Sequence, residues 1–388
     1  MAIEQQLRVP GPTPLPERVI RAMSRPMINH RGPEFAALYT ELVDGLRWAL
    51  RTESDILLFP ASGTGGLEAA VVNLLSPGEQ VLFCTIGSFG DRWAAIAAGY
   101  GADVVRLEMP WGQAIDPEDV ERILDEHPSI ATVFVTHNET STGVTNPLAE
   151  ISAVVRARDR LLAVDSVSGA SCMPLETDQL GIYVLVTGSQ KGWMAPPGLA
   201  MVSVSERAFA AGTLARCPRW YFDFARERKY QERKQTYTTP PIVEMRAVAE
   251  GIAMLREEGL ERAWARHALV AEMIRTGVEA LGCSLFAAPG CRSNTVTAIN
   301  NPTGSPERLK ELLGRLRTTY GLVLAGGQDR AQGQIFRIGH LGMIDEAGVY
   351  DIFGALEQGL LDSGAITHTG AGVAAAREVA RRGVVTIG

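Results

Sequence analysis

The residues best suited to covalent chemistry lie in the stretch Thr187-Gly188-Ser189-Gln190-Lys191-Gly192-Trp193. An apolar run, Ile182-Tyr183-Val184-Leu185-Val186, leads into it, and a second, Leu199 to Val204, leaves it after Pro196-Pro197-Gly198. Both runs read as buried strands. Lys191 therefore falls on a short connection in mostly apolar company. An ammonium taken out of water loses proton affinity, and the free amine can attack a carbonyl. That is what a Schiff-base lysine requires. The plain alternative is a solvated loop lysine, since exposure is the usual fate of this residue.

Two further stretches carry complementary chemistry. Ala61-Ser62-Gly63-Thr64-Gly65-Gly66 follows the strand Ile56–Phe59 and precedes a helix expected from Leu67 to Leu75. Small residues opening a helix leave backbone N–H groups free to face an anion, aided by the helix dipole. Ser62 and Thr64 add hydroxyl donors. The run is not GxGxxG and no Walker lysine follows; a simple glycine-rich turn is the alternative. Asp165 ends the strand Leu161–Val164 as a lone carboxylate. An amine, an anion cup and a strand-end carboxylate together suit pyridoxal phosphate. The phosphate would rest on Ser62–Gly66 and the aldehyde on Lys191. Asp165 would pair with the protonated pyridine nitrogen and keep the ring an electron sink. Phe89 can stack on such a ring, or simply belong to the core.

These residues need a scaffold that brings them together. Strands are expected at Gln80–Cys84, Asp103–Glu108 and Ile130–Thr136, with helices at Asp91–Gly99, from Asp116-Pro117 to near Pro128, and near 147–158. Such alternation implies a mostly parallel sheet with helices on both faces, and ligands bind beyond the carboxyl ends of its strands. The glycine turn, His137-Asn138-Glu139-Thr140, Asp165 and the Lys191 turn all follow strands, so they can meet in one crevice. Helices are also expected at 16–25 and 34–51, separated by the polar turn Asn29-His30-Arg31-Gly32-Pro33, which is either a solvated loop or a substrate contact. The chain divides into a proline-rich arm (1–14), a large domain (15–245), a smaller α+β domain (246–362) and a tail (363–388) read as a loosely attached helix. The arm, ending Pro10-Gly11-Pro12-Thr13-Pro14, cannot be helical and should lie extended over something else.

Composition narrows the class. With 388 residues, a hydrophobic fraction of 46% and a charged fraction of 21%, the chain is an ordinary globular protein of more than one domain. A net charge of -7 argues against a general nucleic-acid binder. Residues 206–242 interleave Arg and Lys with Trp220, Tyr221, Phe222 and Tyr230, which fits a subunit interface better than a nucleic-acid surface. The five cysteines show no metal-ligand spacing, so no metal site is expected and reduced thiols in the cytoplasm are. No secretory signal and no membrane span are legible.

Seven ordered motifs resemble the class V aminotransferases of pyridoxal-phosphate fold type I, close to the alanine–glyoxylate and serine–glyoxylate enzymes. They are Asn29 to Phe35, Ser62 to Glu68, His137 to Gly143, Val164 to Val167, Gly188 to Lys191, Ala195 to Gly198, and Phe336 to Gly342. The resemblance covers about residues 8–360. It implies an α/β fold with a seven-stranded, mostly parallel sheet, and an enzyme moving an amino group from serine or alanine to a 2-oxo acid, glyoxylate first. It implies that Lys191 carries the cofactor and shuttles a proton, and that Asp165 binds the pyridine nitrogen. Thr140, Val167 and Phe89 would flank the ring, with Thr64, Gly65 and Gln190 on the phosphate. Thr239 would reach the phosphate of a neighbouring subunit, making the active unit a homodimer or a tetramer. Arg337 would hold the substrate carboxylate, with His30 and Arg31 as further substrate contacts. Pyridoxamine–pyruvate aminotransferase is a related alternative whose glycine-turn region differs. A cysteine desulfurase fits less well, because no cysteine follows Cys291. A cofactor-binding protein without activity remains open on fold grounds.

Overall fold

A computed structural model of the chain describes residues 5–383. Seven strands make the central sheet, in the order Asp55–Phe59, Ala200–Val204, Val184–Gly188, Leu161–Asp165, Thr132–Thr136, Gln80–Thr85 and Asp103–Glu108. Ala200–Val204 runs antiparallel to both its neighbours, and the five strands from Val184–Gly188 to Asp103–Glu108 pair in parallel. This is the expected seven-stranded, mostly parallel sheet.

Side chains alternate across it with the period of a strand. Leu82 and Cys84 enter one core, Val81 and Phe83 the other. Helices Pro33–Leu50, Pro117–Glu126, Leu148–Ala157 and Ile242–Glu258 cover the first face. Helices Gly63–Leu74, Ser88–Gly99 and Glu206–Gly212 cover the second. Burial on both faces is why the strands read as unbroken apolar runs. On the second face Phe83 stacks on Phe134 with centroids 4.3 Å apart, and Trp93 sets its edge against both. Truncating one of these rings to alanine should cost about 3–5 kcal/mol of stability.

Two helices start earlier than expected, and both shifts matter for the site. The helix expected from Leu67 opens at Gly63, and the one expected from Asp91 opens at Ser88. Glycine is a poor helix former, but here close packing decides. A Cβ at Gly66 would lie 2.6 Å from Val186 Cγ1, so only glycine lets this helix rest on the adjacent strand.

A third core gathers the antiparallel sheet Val296–Asn300, Ile335–Gly339 and Ala325–Gly326 with helices Leu260–Ala280, Pro306–Thr319, Glu346–Asp362 and Ala371–Arg382. Leu322–Val323 pairs in parallel with Gln6–Leu7 of the arm. Two expectations need correction. A division at 245/246 would cut the continuous helix Ile242–Glu258, whose Met245, Val248, Ile252 and Leu255 all pack in the first core. The tail helix is not loosely attached. Ala371–Arg382 lies along Leu260–Ala280 with Ala376 fully buried, and Gly372 fits against Phe353 and Glu357, where a Cβ would approach to 2.8 Å. Glu357 accepts hydrogen bonds from the Gly370 and Val373 amides and so anchors the start of that helix. Residues 1–4 of the expected arm and 384–388 of the tail lie outside the described residues.

The arm does run extended, and what it covers is the Lys191 turn. The Gly339 amide donates to the Arg8 carbonyl at 2.7 Å, and the Thr13 amide donates to the Gln190 carbonyl at 3.1 Å.

Candidate active site

The carboxyl ends of the parallel strands, the start of the Gly63–Leu74 helix and the arm enclose a cavity of about 350 Å³. Lys191 and Asp165 both line it. Lys191 is 8% exposed. Its Nζ donates to the Pro10 carbonyl and lies 6.0 Å from the centre of the Phe89 ring. Gly11 makes this approach possible, since a Cβ there would stand 2.6 Å from Lys191 Cδ. Burial pulls the Lys191 amine down to about 8, against the opposing attraction of Asp165. An amine lowered to about 8 is roughly one tenth free base at neutrality, against well under a thousandth for an ordinary lysine, and the free base is the state a nucleophilic amine needs. The solvated-loop alternative is therefore excluded by its burial.

Asp165 is pushed up to about 7, first by burial and then by the nearby Glu139 carboxylate; the Val167 amide, donating to Oδ1 at 2.9 Å, works the other way. A carboxylate in this position gains most from a fixed cation against it.

The glycine turn divides by function. Ser62, Gly63 and Thr64 face the cavity. The Gly65 and Gly66 amides turn back to the Ser62 carbonyl. Gly65 packs on Ala61 and Phe222, and Gly66 on Val186, so neither lines the cavity and both are packing residues. No side chain caps this helix start. Its first amides and two hydroxyls thus remain an anion cup. Gly63 is held against Val167, with room for no Cβ, which would be 2.8 Å from Cγ2. Gln190 closes the cup, and its Oε1 is buried without a hydrogen-bond partner. Phe89, Thr140 and Val167 complete the wall.

The remaining expected site residues lie elsewhere. Arg337 is buried in Ile335–Gly339 but does not line this cavity. Its Nε and Nη2 donate to the Gly326 carbonyl, and its Nη1 to the Thr140 carbonyl at 2.9 Å and to Gln328 Oε1 at 3.1 Å. Burial lowers it to about 10. No carboxylate bridges it directly among the described residues. Arg31 is exposed and donates to Gln235 Oε1 and the Thr236 carbonyl. Thr239 is exposed on the same following segment, and neither it nor His30 lines the cavity.

Two residues of the site escape composition and spacing. Arg92 lines the mouth, its guanidinium 4.9 Å from the Phe89 ring centre and 3.4 Å from Thr64 Oγ1. Its signal is helical spacing, three residues after Phe89. Glu139, inside one of the seven motifs, is fully buried beneath the wall.

The donor set fits pyridoxal phosphate. A cradle that admits no side chain at Gly63 and hydroxyls at a helix start suit its phosphate. A buried amine and a buried carboxylate suit its two ends. The comparisons agree. The chain is 39% identical over 384 residues to a protein of Synechococcus sp. named soluble hydrogenase, small subunit, covering 98% of this chain and 99% of that one. It is 37% identical to the serine–glyoxylate aminotransferase of Methylorubrum extorquens, over 97% and 96% of the two chains. The solved pyridoxamine–pyruvate aminotransferase of Mesorhizobium loti superposes with a TM-score of 0.91 at 30% identity, over 98% of each chain. The model of the aminotransferase class-V family matches residues 7–338, spanning the cup, Asp165, Lys191 and Arg337 alike. The chain is thus a member of the class V aminotransferases, a pyridoxal-phosphate-dependent transaminase of fold type I.

Proposed function

We propose that the protein moves the amino group of a small L-amino acid, serine or alanine, to a 2-oxo acid, glyoxylate first. The observation that carries the reading is a buried Lys191 amine, lowered to about 8, sharing a cavity of about 350 Å³ with Asp165 and the helix-start cup. Such a volume lies near the lower end of small-molecule sites, so beside a bound cofactor it favours a small acid. A serine–glyoxylate relative supports the same choice.

When bound, pyridoxal phosphate supplies the carbonyl that takes up the amino group and the ring that spreads the developing charge. The chain does the rest. Ser62, Gly63, Thr64 and Gln190 hold the phosphate. Phe89, Thr140 and Val167 fix the ring plane. Asp165 keeps a proton on the pyridine nitrogen, and in doing so is held as the carboxylate. Lys191 Nζ removes and returns the proton at the substrate Cα. Arg337, which no carboxylate bridges directly among the described residues, orients the substrate carboxylate by a bidentate fork.

His30, Arg31 and Thr239 act in this reading from the second subunit of a homodimer, Thr239 on the partner's phosphate. The exposure of Arg31 and Thr239 outside the cavity, and the exposed Leu214, Trp220 and Tyr221, support that arrangement. Five free cysteines, four of them buried, fit a reducing cytoplasm. Among the described residues no helix is long and apolar enough to cross a membrane.

Pyridoxamine with pyruvate is the second reading, favoured by the structural match. A panel of amino donors and 2-oxo acceptors, scored by amino-acid analysis of the products, separates them. Serine or alanine with glyoxylate should turn over fastest. Preferred turnover of pyridoxamine with pyruvate installs the second reading instead.

A further inference from the structure

We propose that Glu139 is the positioning residue of this site, holding Phe89 and Thr140 in place and serving as the buried counter-charge of Lys191 and Arg337. It is fully buried. Both its oxygens are doubly engaged. Oε2 accepts from the Phe89 amide at 3.0 Å and the Gly90 amide at 3.1 Å. Oε1 accepts from the Ser141 amide at 3.0 Å and the Ser141 hydroxyl at 2.7 Å.

Three backbone amides and one hydroxyl donate to its two oxygens, and only the carboxylate form accepts all four. Burial raises its proton affinity above the ordinary carboxylate value, and these four bonds oppose that rise. The helix Ser88–Gly99 opens at Gly87, which has no capping side chain. Glu139 supplies the missing cap from a different segment, and a carboxylate there also meets the positive end of the helix dipole. Gly87 yields the space: a Cβ at that position would lie 2.5 Å from Glu139 Cγ and 2.4 Å from Ser141 Oγ.

The consequence reaches two walls of the cavity and the arginine behind them. Phe89 rides on the first turn that Glu139 caps. Thr140 is its chain neighbour, and the Thr140 carbonyl accepts from Arg337. The charges facing Glu139 are Lys191 and Arg337, whose cationic forms it favours, and Asp165, whose anionic form it opposes. Arg92 lies on the capped helix, and Asp329 accepts from Ser88 Oγ at 2.6 Å at its start. Neither bonds to Glu139. The site therefore contains two buried cations and two buried anions, and Glu139 is the anion fixed by protein donors alone.

The inference rests on Lys191 as the cofactor anchor, which borohydride labelling of that residue tests separately. Its own test is Glu139→Gln in the full-length holoprotein. The amide turns an N–H towards existing donors and removes the negative charge. Pyridoxal phosphate, titrated into the cofactor-free protein, should bind about tenfold more weakly or worse. The pH midpoint of the bound cofactor's visible absorption should fall by about one unit, because the protonated lysine nitrogen loses its counter-charge. Glu139→Asp keeps the charge and should keep the parent midpoint. An unchanged midpoint in Glu139→Gln, with only a lower Tm, makes Glu139 merely structural and overturns the proposal. Should Glu139→Gln not fold, Gly87→Ala decides. Its methyl displaces the carboxylate, so cofactor affinity should fall by at least about fivefold; parent affinity there overturns the positioning role.

Discussion

Lys191 and Asp165 sit at strand ends of one sheet and share one cavity, whereas His30, Arg31 and Thr239 sit on exposed segments that reach none of it. The first pair is held by its own chain. Its pKa values are moved by burial, the amine down to about 8 and the carboxyl up to about 7. In the second group, Arg31 bonds to Gln235 and Thr236, more than two hundred positions away in sequence. A single chain thus builds the cavity with both Lys191 and Asp165 in it, while the outer group is proposed to contribute from another copy. The contrast teaches that burial marks the residues that do chemistry in cis, and that exposure beside aromatic surface marks those proposed to act in trans.

Lys191→Ala strikes the inner group hardest. It should lose nearly all turnover, about a thousandfold or more, because anchor and proton carrier go together. Retained transamination in that variant would break the comparison at its root. In the parent, the rate at which cofactor-free protein captures pyridoxal phosphate should rise through about pH 8 as the amine loses its proton, well below the usual lysine range. A rise only near the unperturbed lysine value, in stopped-flow absorbance, would mean that Lys191 is solvated.

Asp165→Asn should retain cofactor yet lower kcat about a hundredfold, on the order of 3 kcal/mol. Near-normal kcat would reduce Asp165 to a strand-end cap. Arg337→Lys should fold and bind cofactor, but lose about 2 kcal/mol in kcat/KM for donor and acceptor alike, since lysine lacks the planar fork. Equal loss for amines without a carboxylate would assign Arg337 to the Gly326 and Thr140 carbonyls that it already ties together.

The outer group should show the smallest effect. Thr239→Ala alone should weaken cofactor binding about tenfold, one charge-assisted hydrogen bond's worth. Mixed with Lys191→Ala chains under conditions of subunit exchange, it should regain activity through a site built from both. Absence of any regain, with exchange confirmed by mass spectrometry, would place Thr239 outside the site.

Strand–helix alternation and the lone strand-end Asp165 made the sheet and its crevice legible from residues alone, because both follow from local periodicity. Lys191 was legible only as one of two readings, since spacing cannot report burial. Glu139 was legible as part of the strand end His137–Thr140, but its role was not, because it lies in four donors from residues 89, 90 and 141, two of them some fifty positions away. The glycine turn was read as one cup, yet Gly65 and Gly66 face Ala61, Phe222 and Val186. Sequence cannot tell a glycine that admits a ligand from one that admits a neighbouring strand. The tail helix misled in the same way. Its Gly372 and Ala376 read as weak composition, but small residues are what let it lie close.

The arm joins two of the cores by a route that bypasses the helices between them. It is stitched to the small domain at Gln6–Leu7 and to the Lys191 turn at Thr13, with the Pro10 carbonyl resting on the amine between. Five residues lie between Leu7 and Thr13, and the six steps of a fully stretched chain span only about 20 Å. Pro10 and Pro12 stiffen it further. The arm is then a short leash with the Lys191 nitrogen at its midpoint. Any swing of the small sheet, and with it Arg337, would either tug on that carbonyl or slacken it. In the reading proposed above, the grip on the substrate carboxylate and the freedom of the amine would thus be linked mechanically through five residues of backbone.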